Sequence, residues 1–162
     1  MHNYNPSVLY EANYVRTKVF QTSKNKINSI LQMEHDIATR TDIEKLVNEF
    51  YGLVQNDDLI GPIFNNIIGD NWPEHLSKMY SFWETILLGN HTYNGAPFLP
   101  HAKLPLQQEH FDRWLLLFRQ TTEQYFEGSK AKEAMERADR MALMFISKIN
   151  YIRNNSLFKP LM

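Results

Sequence analysis

The chain has 162 residues and a formal net charge of −1, from 17 Lys and Arg against 18 Asp and Glu. Hydrophobic residues make up 43%, enough for the core of one ordinary domain, so a wholly disordered chain is excluded. Near-neutrality does not point to nucleic acid or an acidic membrane as partner, and the lack of Cys excludes disulfides, zinc–thiolate and cysteine-ligated iron–sulfur centres, and thiol catalysis.

No apolar run approaches the length of a membrane span, and no basic start leads into an apolar core. Cytoplasm is therefore the expected compartment. Residues 1–32 carry Arg16, Lys18, Lys24 and Lys26 against Glu11 alone, and are polar and weakly patterned. They read as a loosely ordered extension to a domain spanning 33–162.

From residue 34 onward the pattern is helical. Thr41 with Glu44 three residues later predicts a capping box. Ile43, Leu46, Val47, Phe50, Tyr51 and Val54 then repeat at the helical period, and Asn56, Asp57 and Asp58 end the run. Gly61-Pro62 predicts a turn, followed by Ile63 and Phe64. The next helix is expected to open at Asn71, with Pro73 in its first turn, and to stop at Gly89. Its inner face is His75, Met79, Phe82, Trp83 and Ile86.

Residues 89–106 hold Gly89, Gly95, Pro97, Pro100 and Pro105, which rule out a long helix. At most one turn fits between Pro100 and Pro105. A third helix is predicted from Gln107 to Glu127, with Phe111, Trp114, Leu115, Phe118, Thr122 and Tyr125 on one stripe. Gly128 stops it, and Ser129 is placed to cap a fourth, whose buried face is Ala134, Met135, Ala138, Met141, Ala142, Phe145 and Ile149. No alternating strand pattern appears. The expected class is all-α: four substantial helices with one long irregular connection.

Four polar side chains stand out on this framework. His75 shares the apolar face of Met79, Phe82 and Ile86, which suits either a core imidazole satisfied by a carbonyl or a site residue. His101 lies in the irregular stretch, bracketed by prolines that would hold its ring in one orientation. Tyr51 and Trp114 sit on inner stripes, each with a polar hydrogen to place. Two His four apart with a Glu, Glu-x-x-His pairs, nucleophile elbows, phosphate loops and dinucleotide turns are all absent. Two histidines around one apolar cavity, with aromatic residues at 13%, fit a haem pocket better than these classes.

The segments EFYGLV, LIGPIFNNIIG, WPEHLSKMYSFWETILLG, YNGAPFLPHAKLPL and EHFDRWLLLF resemble those of the group III truncated haemoglobins over roughly residues 37–152. The glycine-pair motifs of the other truncated groups are not seen. The resemblance implies a two-over-two helical sandwich in which the helix bearing the proximal His is reduced to a loop. It implies haem b as cofactor, with His101 as the proximal iron ligand. Tyr51, His75 and Trp114 resemble the groups that stabilise a ligand on the distal side, and Phe64 the Phe that stacks on the haem. Met79, Leu104 and Phe111 would line the cavity, and Lys78 would reach a propionate through its long stem. Lys103 and Arg113 are weaker candidates for that role. Expected ligands are O2, NO or CO at a pentacoordinate iron. Peroxide or nitric oxide/O2 redox chemistry at the same site is the alternative, and it would need an external reductase, since no flavin or nicotinamide motif is present.

Overall fold

Residues 35–156 are described in a computed structural model of the chain, and the expected extension, residues 1–32, lies outside them. The described residues form an all-α fold of five helices: α1 (Arg40–Gln55), α2 (Gly61–Ile68), α3 (Trp72–Leu88), α4 (Gln108–Tyr125) and α5 (Ser129–Ser156). Two single turns of 3₁₀ helix, Gly69–Asn71 and Leu99–His101, complete the regular structure. Among the described residues no helix is long and apolar enough to cross a membrane.

Helix α1 packs on both α3 and α4, and α4 packs on α5, so the pairs α1/α3 and α4/α5 lie one over the other. The stripe Ile43, Leu46, Val47, Phe50 and Val54 is almost fully buried against Trp83 and Leu87 of α3, Phe118 of α4, and Ala134 and Ala138 of α5. On the other side of the bundle, Leu106, Phe111, Ala142, Phe145, Ile146 and Ile149 form a smaller cluster, with Phe98 and Leu104 of the link packed on it.

The expected helices appear, with three local differences. The box at the start of α1 is Thr39 with Asp42, two residues before the Thr41–Glu44 match. Asp42 wins because its carboxylate also takes N–H groups from Ala38 (3.1 Å) and Thr39 (2.8 Å) and reaches His35 Nε2 (2.7 Å). Burial alone would raise the Asp42 pKa, but these bonds outweigh it and hold the carboxyl at about 2.

Gly61-Pro62, expected as a turn, instead opens the short helix α2. Pro62 falls in its first turn, where no N–H is needed. Gly61 is required by close approach: a Cβ there would stand 2.9 Å from the carbonyl oxygens of Val54 and Gln55.

The start of α5 is capped from a distance. Asp36 accepts the backbone N–H groups of Lys130 (2.9 Å) and Ala131 (2.8 Å) and the Ser129 hydroxyl (3.2 Å). Ser129 is thus a donor to the cap rather than the cap itself. Gly128 precedes it at φ 143°, and any side chain there would overlap Asp36.

Glu84 of α3 is a second long-range anchor. It is only 7% exposed and pairs with Arg40, Asn90 (3.1 Å) and Thr92 (3.0 Å), which ties α1 and the start of the 89–107 link to α3. Replacing Asp36 by Ala removes an N-cap and is expected to cost about 1–2 kcal/mol. Urea unfolding checks this: the midpoint falls at unchanged slope, and an unchanged midpoint contradicts the capping role.

Candidate functional site

All five helices and the link surround one cavity of about 290 Å³. The nine residues singled out from the sequence all line it: Tyr51 from α1, Phe64 from α2, His75, Lys78 and Met79 from α3, His101 and Leu104 from the link, and Phe111 and Trp114 from α4. Lys103 and Arg113 are not on its wall, and Arg113 is engaged instead with Asp57 at 2.9 Å.

His101 closes the Leu99–His101 turn, with Pro100 at the centre of that turn. Its Nδ1 lies 2.8 Å from the Pro97 carbonyl oxygen. A carbonyl only accepts, so Nδ1 carries the hydrogen and Nε2 of the neutral ring keeps a lone pair. The ring is held against Phe145 of α5, with centroids 5.0 Å apart. Burial lowers the His101 pKa and the Pro97 bond opposes this, with burial the stronger.

The polar groups on the helical walls have no such partners. The Nε2 of His75 is buried without a hydrogen bond, and the Tyr51 hydroxyl and Trp114 indole N–H find none among the described residues. Tyr51 is 4% exposed, and burial pushes its pKa well above the ordinary phenol value. It therefore stays a neutral O–H donor. Burial also takes the His75 pKa down to about 4, helped by repulsion from His101 and Lys78. The His75 ring is fixed edge-on by Tyr51 (5.0 Å) and Trp72 (5.6 Å). Trp114 stacks on Phe118 at 5.4 Å, and Phe118 in turn on Trp83 at 4.8 Å. Lys78 pairs with Glu74 at 2.7 Å, but both side chains are over 60% exposed, and such a pair holds a lysine only weakly.

The cavity also takes Phe145, Met141 and Ala142 from α5, Tyr93 and Pro97 from the link, and Ile63, Ile67 and Ile68 from α2. The α5 residues were visible as an apolar stripe, but periodicity does not separate a cavity wall from a packed core. Tyr93 opens the segment YNGAPFLPHAKLPL, but no periodicity or spacing singles it out.

An apolar cavity with one imidazole lone pair and three unpartnered polar atoms on other walls suits a flat macrocycle that carries its own metal. Among the described residues no group of three or more His, Asp or Glu is arranged to hold a metal ion by itself. The model of the family described as bacterial-like globin matches residues 32–147. The chain is 37% identical over 117 residues to group 3 truncated hemoglobin ctb of Campylobacter jejuni, spanning 70% of this chain and 92% of that protein. The chain belongs to the group III truncated haemoglobins.

The fold of this truncated haemoglobin is similar to the crystal structure of group III truncated hemoglobin from Campylobacter jejuni, with a TM-score of 0.68 and 36% identity over 72% of this chain and 95% of that one. Membership of the globin family implies a haem cofactor, and the lone pair of His101 and the unpartnered donors fit one.

The His75 imidazole gives the haem-free globin a defined pH response. Its pKa is about 4 in the fold against 6.5 when exposed, so the unfolded chain takes up the proton first. The His75 contribution to stability is complete above pH 6.5 and is lost as pH falls toward 4. Urea midpoints of the haem-free globin should drop between pH 7 and 5, and less steeply in His75→Leu. Equal slopes in the two proteins contradict a buried neutral His75.

Proposed function

We propose that this truncated haemoglobin reversibly binds O2, and other diatomic ligands such as CO and NO, at haem b held by His101. The observation that carries the reading is the pairing of one fixed imidazole lone pair with three polar groups that make no hydrogen bond, on Tyr51, His75 and Trp114, around the same apolar cavity. When bound, haem supplies an iron with an open position for a diatomic ligand.

In this reading His101 holds the group from the link, and the Pro97 carbonyl fixes its tautomer and ring orientation. Phe64, Met79, Leu104 and Phe111 exclude water from the faces of the macrocycle, and Lys78 is free to leave Glu74 for a propionate. Tyr51 and Trp114 donate hydrogen bonds to a ligand that gains negative charge, and neutral His75 donates or gates the cavity. Tyr51 is the strongest of these, because burial keeps its hydrogen in place at any physiological pH.

A charge-assisted hydrogen bond is worth roughly 1.5–3 kcal/mol. Expressed in dissociation, losing one speeds ligand release by roughly ten- to a hundredfold. Tyr51→Phe is therefore expected to release O2 that much faster in stopped-flow measurements, with the Soret band retained. An unchanged rate removes Tyr51 from this role, and a protein that takes up no haem overturns the whole reading. The cytoplasmic setting, and an external reductase for any turnover that consumes electrons, belong to the same proposal.

A further inference from the structure

We propose that Arg153 is a positioning residue for the His101 ligand, acting through the Leu104 carbonyl. This rests on the reading of His101 as the haem ligand. The link that carries His101 is held mainly by itself. Between Ala96 and Leu104 the backbone bonds run Leu99 N–H to Ala96 O (3.2 Å), His101 N–H to Phe98 O (2.9 Å), Ala102 N–H to Leu99 O (3.4 Å) and Leu104 N–H to His101 O (3.1 Å). The His101 side chain also bonds locally, to Pro97.

Phe98 and His101 press on Phe145 of α5, at 5.4 and 5.0 Å between centroids. Lys148 Nζ of α5 also lies 5.1 Å over the Phe98 ring, so these contacts hold the link near α5, but none is a hydrogen bond to its backbone. Among the described residues, one hydrogen bond joins segment 96–104 to a helix: Arg153 Nη2 donates to the Leu104 carbonyl at 2.9 Å. Leu104 donates in turn to His101 O, so the guanidinium grips the far end of the turn that begins at the ligand.

Arg153 is half-buried and has no carboxylate partner among the described residues. A cation in the last turn of α5 also suits the helix dipole, but any basic side chain would meet that need from solvent. Reaching the Leu104 carbonyl requires a long side chain with a directed donor. The residue also lies past residue 147, where the family match ends. The grip is thus a property of the long last helix of this chain, which sets how firmly the imidazole stands in the cavity.

The test uses the full-length, haem-loaded globin. Resonance Raman spectra of the reduced protein read the stretching band between iron and the proximal imidazole, and transfer to an acceptor globin reads the rate of haem loss. Arg153→Met is expected to shift or broaden the band and to speed haem loss by about tenfold, the lower end for a charge-assisted hydrogen bond. Arg153→Lys is expected to restore part of both. Should Arg153→Met fail to fold, Arg153→Gln, shorter and uncharged, is expected to show the same shift. A parent-like band with parent-like haem loss in the variant that folds overturns the proposal and leaves His101 as the ligand. A parent protein with no imidazole band overturns the haem reading itself, and this inference with it.

Discussion

The hydrogen bond from His101 Nδ1 to the Pro97 carbonyl, 2.8 Å long, decides two things together. It places the ring hydrogen on Nδ1, so that Nε2 is available to a metal at neutral pH, and it fixes the plane of the imidazole relative to the link. Pro97 and Pro100 contribute by restricting the backbone of the turn that leads into His101. A full helix would have used the Pro97 carbonyl in its own ladder; a single turn leaves it free for the side chain. The reduction of the segment that carries His101 to one turn is therefore what frees the carbonyl that orients its ring.

The rest of the bundle supplies a cavity that keeps its polar groups neutral and unspent. Tyr51 and His75 stand on the stripes that form the cores of α1 and α3, and burial shifts each toward its uncharged form. A buried polar atom without a partner costs free energy; the His75 Nε2 is such an atom, in a ring that Tyr51 and Trp72 flank edge-on. The Trp83–Phe118–Trp114 stack ties the helical wall of the cavity to the main core. The link alone is irregular, with Glu84 and Thr85 as polar anchors at one end and Arg153 at the other.

Four helices and the polar side chains of the candidate site were legible because each rests on a local rule. Apolar residues at the helical period located α1, α3, α4 and α5; Pro73 in the first turn and left-handed Gly89 bound α3 as expected, while Asn71 stands at its start without a side-chain capping bond. His75 betrayed itself as a titratable residue in register with Met79 and Phe82, and His101 as an imidazole between prolines. What escaped depends on partners far along the chain. Asp36 caps α5 from more than ninety residues away, and Glu84 looks like surface charge until Arg40, Asn90 and Thr92 close on it. The Gly61-Pro62 pair serves a turn or a helix start equally well, and only the approach of Val54 and Gln55 shows why glycine is needed there. Phe145 fits a core stripe and a cavity wall alike.

The most direct test of the account concerns the imidazole itself. Absorption and resonance Raman spectra of ferrous His101→Gly should lack the band of a proximal imidazole, and free imidazole added to the variant should restore it by filling the space the side chain left. Spectra of His101→Gly that match the parent without added imidazole would contradict the account, since some other group would then hold the haem.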